Sequence, residues 1–220
     1  MKPVDITNLS NHIDFGYFKA KIARKNIDRS INDKLKAWEL DFDYYDGERS
    51  CGYGGFNDDG RWLEYLPKLL HLCSVNTDLT SNVSILDLGC KKGFIVDAAT
   101  KIGYSAIGVE NHPYPINKAN INIKHKLLRS DYFELPFADN SFDFCIAFSS
   151  IYMQNLKDVM RTINEINRVS KTSFISVAAY NYEWERNSFY KWTLLGTTLL
   201  HCSEWLDLFS SIGYDGKYFF

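Results

Sequence analysis

From Ser84 onward, short apolar runs alternate with amphipathic stretches, a rhythm that predicts strands separated by helices. Ser84–Leu88 is an apolar run ending in Asp87-Leu88-Gly89, and Lys92–Ile102 follows with helical spacing. Ala106–Glu110 reads as the next strand, Ile116–Ile123 as a helix, Lys126–Arg129 as a short strand and Phe142–Phe148 as a buried strand. Leu156–Val169 is a clear amphipathic helix and Phe174–Ala179 a strand. Ser203–Ile212 is a helix stopped by Gly213, and Lys217–Phe220 a last strand. Such alternation predicts an α/β fold: a doubly wound, mainly parallel sheet with helices on both faces and right-handed crossovers.

The first 60 residues read differently. They are polar and aromatic, with a helix expected over Ile27–Leu40. Asp41–Gly60 then places Gly47, Gly52, Gly54, Gly55 and Gly60 among Tyr44, Tyr45 and Tyr53, which argues for a loop with no regular element. Trp62–Cys73 returns to helical spacing. Residues 1–61 are therefore expected to be an N-terminal extension, too poor in aliphatic residues for its own core, and residues 62–220 the main domain.

Composition narrows the function classes. The 220 residues carry a net charge of -2, so no global basic field attracts nucleic acid, and the basic run Lys19–Arg29 reads as a solvated helix face. Five scattered cysteines (Cys51, Cys73, Cys90, Cys145 and Cys202) form no C-x-x-C pair, which suggests reduced thiols and no metal site. No run has the ~18 apolar residues a membrane span needs, and Met1–Ser10 lacks a signal-peptide core. The expectation is a cytoplasmic protein.

Candidate chemistry gathers at strand ends. In open parallel sheets ligands bind at the carboxyl ends of strands, where strand order reverses. Asp87-Leu88-Gly89-Cys90-Lys91-Lys92-Gly93 sits there, with Gly89 allowing a tight turn and Gly93 a close helix–strand approach. The helix that follows offers its free N–H groups. Glu110, 21 residues after Gly89, is placed to accept from both ribose hydroxyls, and Asp131 to accept from an adenine amine. Phe148, ending its strand, is placed to flank the ligand. Lys91 and Lys92 fill the middle of the loop, so G-x-G-x-x-G is absent and NAD disfavoured, and no G-x-x-x-x-G-K-[ST] loop exists for ATP.

At these residues the sequence resembles the class I S-adenosylmethionine (AdoMet)-dependent methyltransferases, over roughly Trp62–Phe220. Ile85–Gly93 is similar to the family's glycine motif and Gly108-Val109-Glu110 to its acidic loop. Asp131, Leu135-Pro136-Phe137 and Asn140-Ser141-Phe142-Asp143 look like the type 11 pattern. The resemblance implies AdoMet as cofactor, with Asp87, Gly89 and Gly93 at the methionine end, Glu110 on the ribose, and Asp131 with Tyr132 facing the adenine. Cys90, Asn111 and Phe148 complete the candidate cofactor set. Gly52-Tyr53-Gly54-Gly55-Phe56 with Asp59-Gly60-Arg61-Trp62, and the tail Trp192–Phe220, are similar to bacterial methyltransferases linked to surface-polysaccharide or nucleotide-sugar biosynthesis. Lys91 departs from the pattern by replacing the second glycine, which implies a less tight loop. The chain also stops at Phe220, where the family often continues through another strand.

Methyl transfer asks the protein mainly for position. Tyr152, soon after the fourth strand, is the weak catalytic candidate. His12, His71, His112, His125 and His201 are scattered, with His201 and Glu183 expected at a pocket rim. Tyr53, Asp59, Arg61 and Trp62 are candidate lid or substrate residues, Arg61 either forking onto a substrate carboxylate or phosphate or pairing with a nearby Asp. The expected function is O- or N-methylation of a small molecule, with no nucleic-acid partner: no N/D-P-P-Y/F motif follows Phe148, where Ser149-Ser150-Ile151 stands. A protein methyltransferase and a non-catalytic AdoMet-binding scaffold stay open. Acceptor, base and oligomeric state are not specified by these residues.

Overall fold

Strand residues alternate between two packed layers, which is why the strands read as unbroken apolar runs. The structure is a computed structural model that describes residues 4–5, 28–77 and 82–220. In chain order the elements are β1 (Val4–Asp5), α1 (Ile31–Trp38), α2 (Phe42–Tyr45), α3 (Trp62–Leu72), β2 (Ser84–Leu88), α4 (Phe94–Ile102), β3 (Ser105–Glu110) and α5 (Pro113–Asn117). There follow β4 (Leu127–Arg129), β5 (Phe144–Phe148), α6 (Leu156–Val169), β6 (Ser173–Ser176), β7 (Ala179–Tyr180), α7 (Glu183–Trp192), β8 (Leu200–His201), α8 (Cys202–Ser211) and β9 (Lys217–Phe219).

Seven strands form one sheet in the order β1-β9-β6-β5-β2-β3-β4, and every pairing in it is parallel. Ile85, Phe144 and Ile146 face one layer, where Leu66, Leu69 and Leu70 of α3 and Val96 and Ala99 of α4 cover them. Their neighbours Leu86, Cys145 and Ala147 face the other, under Val159, Ile163 and Ile166 of α6 and Trp205 and Phe209 of α8. The period of two along each strand sorts residues between layers, and the period near 3.6 along each helix supplies the cover. Strand order reverses between β2 and β5: β3 and β4 extend the sheet on one side of β2, while β5, β6 and β9 extend it on the other. The crevice of such a sheet opens there. No helix of the described residues is long and apolar enough to cross a membrane.

Several local readings change. The helix expected over Ile116–Ile123 is instead α5, which begins three residues earlier in the chain and is five residues long. His112 caps it and Pro113 stands at its first turn, while the Asn120 side chain accepts the Asn122 N–H and turns the backbone out of helix. The helix expected from Ile27 begins at Ile31, because Ser30 and Asp33 form a capping box. His12 and residues 19–27 of the basic run lie outside the described residues. One helical turn, α2, stands inside the glycine-rich stretch, the Asp43 N–H donating to the Asp41 carboxylate. Helix α7 carried no clear apolar period, since only Phe189 and Trp192 of it are buried.

The extension shares a cluster with a distant part of the chain. Ala37, Tyr44 and Tyr45 pack with Leu194 and Leu195, and Phe56, Tyr114 and Met153 close round them. Trp38 donates its indole N–H to the Leu194 carbonyl at 3.2 Å. These contacts carry residues 29–65 over the carboxyl ends of β2 and β5.

Candidate functional site

The loop after β2 is shaped by three left-handed residues. Gly89, Lys91 and Gly93 have φ of 81, 52 and 79°. The Gly89 and Cys90 N–H groups both donate to the Val109 carbonyl, and the Gly93 N–H closes the turn onto the Cys90 carbonyl at 2.8 Å. A Cβ at Gly89 would lie 2.2 Å from the Ser150 Cβ. Ser150 has no freedom to retreat, because its hydroxyl donates to the Leu88 carbonyl at 2.8 Å. Gly89→Ala is therefore expected to destabilise by about 3 kcal/mol, from left-handed strain plus a clash with a pinned neighbour. Urea denaturation measures it, and an unchanged midpoint would show that the loop yields.

Lys91 does not loosen this loop. It takes the left-handed backbone that glycine adopts without strain, at a cost of ~1–2 kcal/mol. Its amide donates to Glu110 Oε2 at 3.0 Å, and its ammonium lies 4.8 Å from the centroid of the Phe56 ring. Burial pulls its pKa down, while the nearby Glu110 and Asp87 carboxylates work in the opposite direction. Lys91 thus lies near both acids and ties the loop to the extension. Lys92 makes a second tie, pairing with Asp46 and donating to the Phe56 carbonyl. Asp46 also accepts from the Tyr114 hydroxyl at 3.0 Å.

The sequence-derived residues separate into two groups. Asp87, Gly89, Cys90 and Phe148 line one cavity of about 480 Å³, and Tyr53, Asp59, Arg61, Trp62 and Tyr152 line it too. That volume suits a small-molecule site of ~300–1,000 Å³. Gly93, Glu110, Asn111, Asp131 and Tyr132 are not in its wall. Glu110 is only 2 % exposed. Its Oε1 accepts from the Asn111 and His112 N–H groups and from the Tyr132 hydroxyl, complementing Lys91 on Oε2. Burial raises the Glu110 pKa, and those hydrogen bonds hold it back. Tyr45 covers this end: it is buried and stacked on Tyr114 at 5.7 Å. Burial, and after it the Glu110 charge, push the Tyr45 phenol up.

Asp87 is buried at the cavity floor. Burial raises its carboxyl to about 7, with Lys91 pulling it back down and Glu110 adding to the rise. Ser149 stands in the same wall with a left-handed φ of 52°, its N–H donating to the Ser176 hydroxyl at 2.8 Å. Two strained non-glycine residues at one cavity fit the tendency of strain to gather at functional sites.

Other expected residues go elsewhere. Arg61 is paired with Asp59, its Nε lying 2.8 and 2.7 Å from the two carboxylate oxygens. His201 caps α8 and meets the Tyr180 ring edge-on, and Glu183 pairs with Arg186. Neither is in the wall of this cavity, and none of the histidines among the described residues is. Sequence reasoning missed Arg29, Arg49, Phe56 and Trp192, all of which line it. The glycine–aromatic density of Asp41–Gly60 was the signal for Phe56, and no local pattern marked the others.

Residues 86–173 match the model of a methyltransferase domain family. The chain is 25 % identical over 189 residues to a sterol 24-C-methyltransferase of Pneumocystis carinii, covering 77 % of this chain and 48 % of that one. It is 32 % identical over 123 residues to the sterol 4-C-methyltransferase strm-1 of Caenorhabditis elegans, covering 51 % and 36 %. The chain thus spans less than half the length of these curated relatives. A SAM-dependent methyltransferase structure from Methanosarcina mazei superposes with a TM-score of 0.51 at 19 % identity, covering 66 % of this chain and 82 % of that one. The fold is that of the Rossmann-like class I methyltransferases, whose methyl donor is AdoMet.

Proposed function

We infer, for a chain carrying a class I AdoMet-dependent methyltransferase domain, that it methylates an oxygen or nitrogen of a small molecule held in the cavity beneath the extension. The observation that carries this reading is the shared wall: Asp87, Gly89, Cys90 and Phe148 of the sheet face Tyr53, Phe56, Trp62 and Trp192 across one space. Asp87 and the Gly89–Gly93 loop would hold the methionine end of the cofactor, Glu110 the ribose, and Asp131 with Tyr132 the adenine. The donor set fits: a cradle that a Cβ would fill at Gly89, and a buried carboxylate held in place by backbone N–H groups at Glu110.

AdoMet supplies a methyl already activated on a sulfonium, for in-line displacement. The protein's share is placement and exclusion of water. An ionised Asp87 favours the cationic end of the ligand. Tyr44, Phe56 and Trp62 exclude water, and Tyr152, in the same wall as Asp87, orients the acceptor. Because Tyr45 stands over Glu110, the Asp46 ties to Lys92 and Tyr114 must release before the ribose hydroxyls reach that carboxylate. Sterol acceptors of the two named relatives support a small-molecule acceptor here; a sugar or nucleotide sugar is the finer reading of the extension's sequence.

Thermal shift with AdoMet, S-adenosylhomocysteine and NAD tests the cofactor assignment. At 100-fold excess over Kd the first two are expected to stabilise the chain by ~2.7 kcal/mol, and NAD not at all. No response to either AdoMet or its product would overturn the assignment. Labelled methyl transfer into a metabolite extract then separates enzyme from scaffold, tight cofactor binding with no transfer favouring the scaffold.

A further inference from the structure

The cavity wall contains two guanidinium groups, those of Arg29 and Arg49, with no carboxylate partner among the described residues. Arg29 is only 8 % exposed. Its terminal nitrogens donate to the backbone carbonyls of Arg49, Ser50 and Gly52, and its Nε is buried with no hydrogen-bond partner. No ion pair joins Arg29 or Arg49 to an acid among the described residues. A buried cation met by carbonyl dipoles and an aromatic face leaves a positive potential that a counter-charge would satisfy.

The other wall cations lie near acids. Arg61 is neutralised by Asp59, and Lys91 faces Asp87 and Glu110. The Asp58 carboxylate accepts the Gly60 N–H at 3.0 Å and keeps its charge. Arg29 and Arg49 are the wall cations without an acid partner among the described residues, and both belong to the extension. The Arg29 guanidinium lies 5.8 Å from the Tyr53 ring centroid, and Tyr53 meets Trp192 edge to face at 6.2 Å. A basic end beside an aromatic wall selects a ligand with an oxyanion on an apolar body.

We propose that Arg49, backed by Arg29, forms an oxyanion subsite, and that the acceptor carries a carboxylate or phosphate group. Arg49 is solvent-exposed and free to fork onto the anion, while Arg29 fixes the 49–52 backbone from which it projects. Seated there, the anion anchors the acceptor in the cavity that Asp87, Gly89 and Cys90 also line. The assignment of the ligand as methyl acceptor rests on the methyl-transfer reading; the anion preference of the cavity does not.

The test uses the full chain and three probes of one shape, benzoate, phenyl phosphate and benzyl alcohol, titrated calorimetrically with and without S-adenosylhomocysteine. At least one anion is expected to bind about tenfold or more tightly than benzyl alcohol, and which anion does so separates carboxylate from phosphate. Arg49→Gln is expected to remove that preference, leaving benzyl alcohol and S-adenosylhomocysteine affinities unchanged, while Arg49→Lys keeps part of it. Equal binding of all three probes to the unmodified chain, or an anion preference that survives Arg49→Gln, overturns the subsite. Absence of S-adenosylhomocysteine binding with the anion preference intact would instead remove the methyl-transfer reading.

Discussion

Glu110→Ala is expected to lose about 100-fold or more in affinity for S-adenosylhomocysteine and to lower the melting temperature by roughly 6–12 °C. Two hydrogen bonds to a charged acceptor contribute ~1.5–3 kcal/mol each, and every 1.4 kcal/mol is tenfold in Kd. The stability loss has a separate origin. The Lys91, Asn111 and His112 N–H groups and the Tyr132 hydroxyl all donate to this one carboxylate, which is 2 % exposed. Removing it strands these donors in a site with little water. Relief of carboxylate burial offsets part of that, leaving a net loss of about 3 kcal/mol, or ~2–4 °C per kcal/mol for a chain of this size. Glu110→Gln keeps the volume and one carbonyl acceptor, so it should fold nearly as well yet still bind weakly. Calorimetric titration of both variants decides the role: unchanged affinity in either removes the ribose assignment and leaves Glu110 a purely structural acid.

The second large effect is a pH dependence set by Asp87. Its carboxyl is raised by burial from 3.8 to about 7 in the folded chain. Below the unfolded value both states hold the proton, and the contribution to stability is at its maximum. Between 3.8 and about 7 the unfolded chain has released its proton and the folded chain has not. Stability therefore falls as pH rises across that window, by on the order of 4 kcal/mol at 1.36 kcal/mol per pH unit, and levels off above it. Asp87→Asn should flatten this part of the profile in urea titrations between pH 5 and 8. Cofactor affinity is expected to run the other way. A ligand with a sulfonium and an ammonium favours the ionised carboxylate, so its binding should strengthen towards pH 7 with a slope approaching tenfold per unit. In Asp87→Asn it should be weak and flat. AdoMet affinity independent of pH in the unmodified chain would detach Asp87 from the ligand. Lys91→Met gives an internal check, since loss of that cation should move the inflection higher.

How much was legible depends on how local each feature is. Leu156–Val169 was readable end to end because its period, its Asn155 cap and its buried face at Val159, Ile163 and Ile166 all lie within fifteen residues. The acid at Glu110 was readable because a strand end at fixed distance from a glycine turn is a short-range pattern. Ile116–Ile123 was misread for the opposite reason: its apolar spacing was overridden by the His112–Pro113 start and the Asn120 turn. Arg61 was left between two partners by sequence, and adjacent chain geometry chose Asp59.

By itself, then, the sequence determined the strand–helix alternation from β2 to α6, the doubly wound class and the position of a glycine turn at the reversal between β2 and β5. Each follows from periodicity and turn chemistry over a few residues. Only the tertiary structure decided what covers that loop. Tyr45 reaches Tyr114 and the Glu110 end across some 65 residues of chain, Lys92 reaches Asp46 across 46, and Arg29 and Arg49 meet Trp192 round a single cavity. No period encodes such contacts. They depend on the path of the extension over the sheet, which is set by the burial of Ala37, Tyr44 and Tyr45 against Leu194 and Leu195 at the far end of the chain.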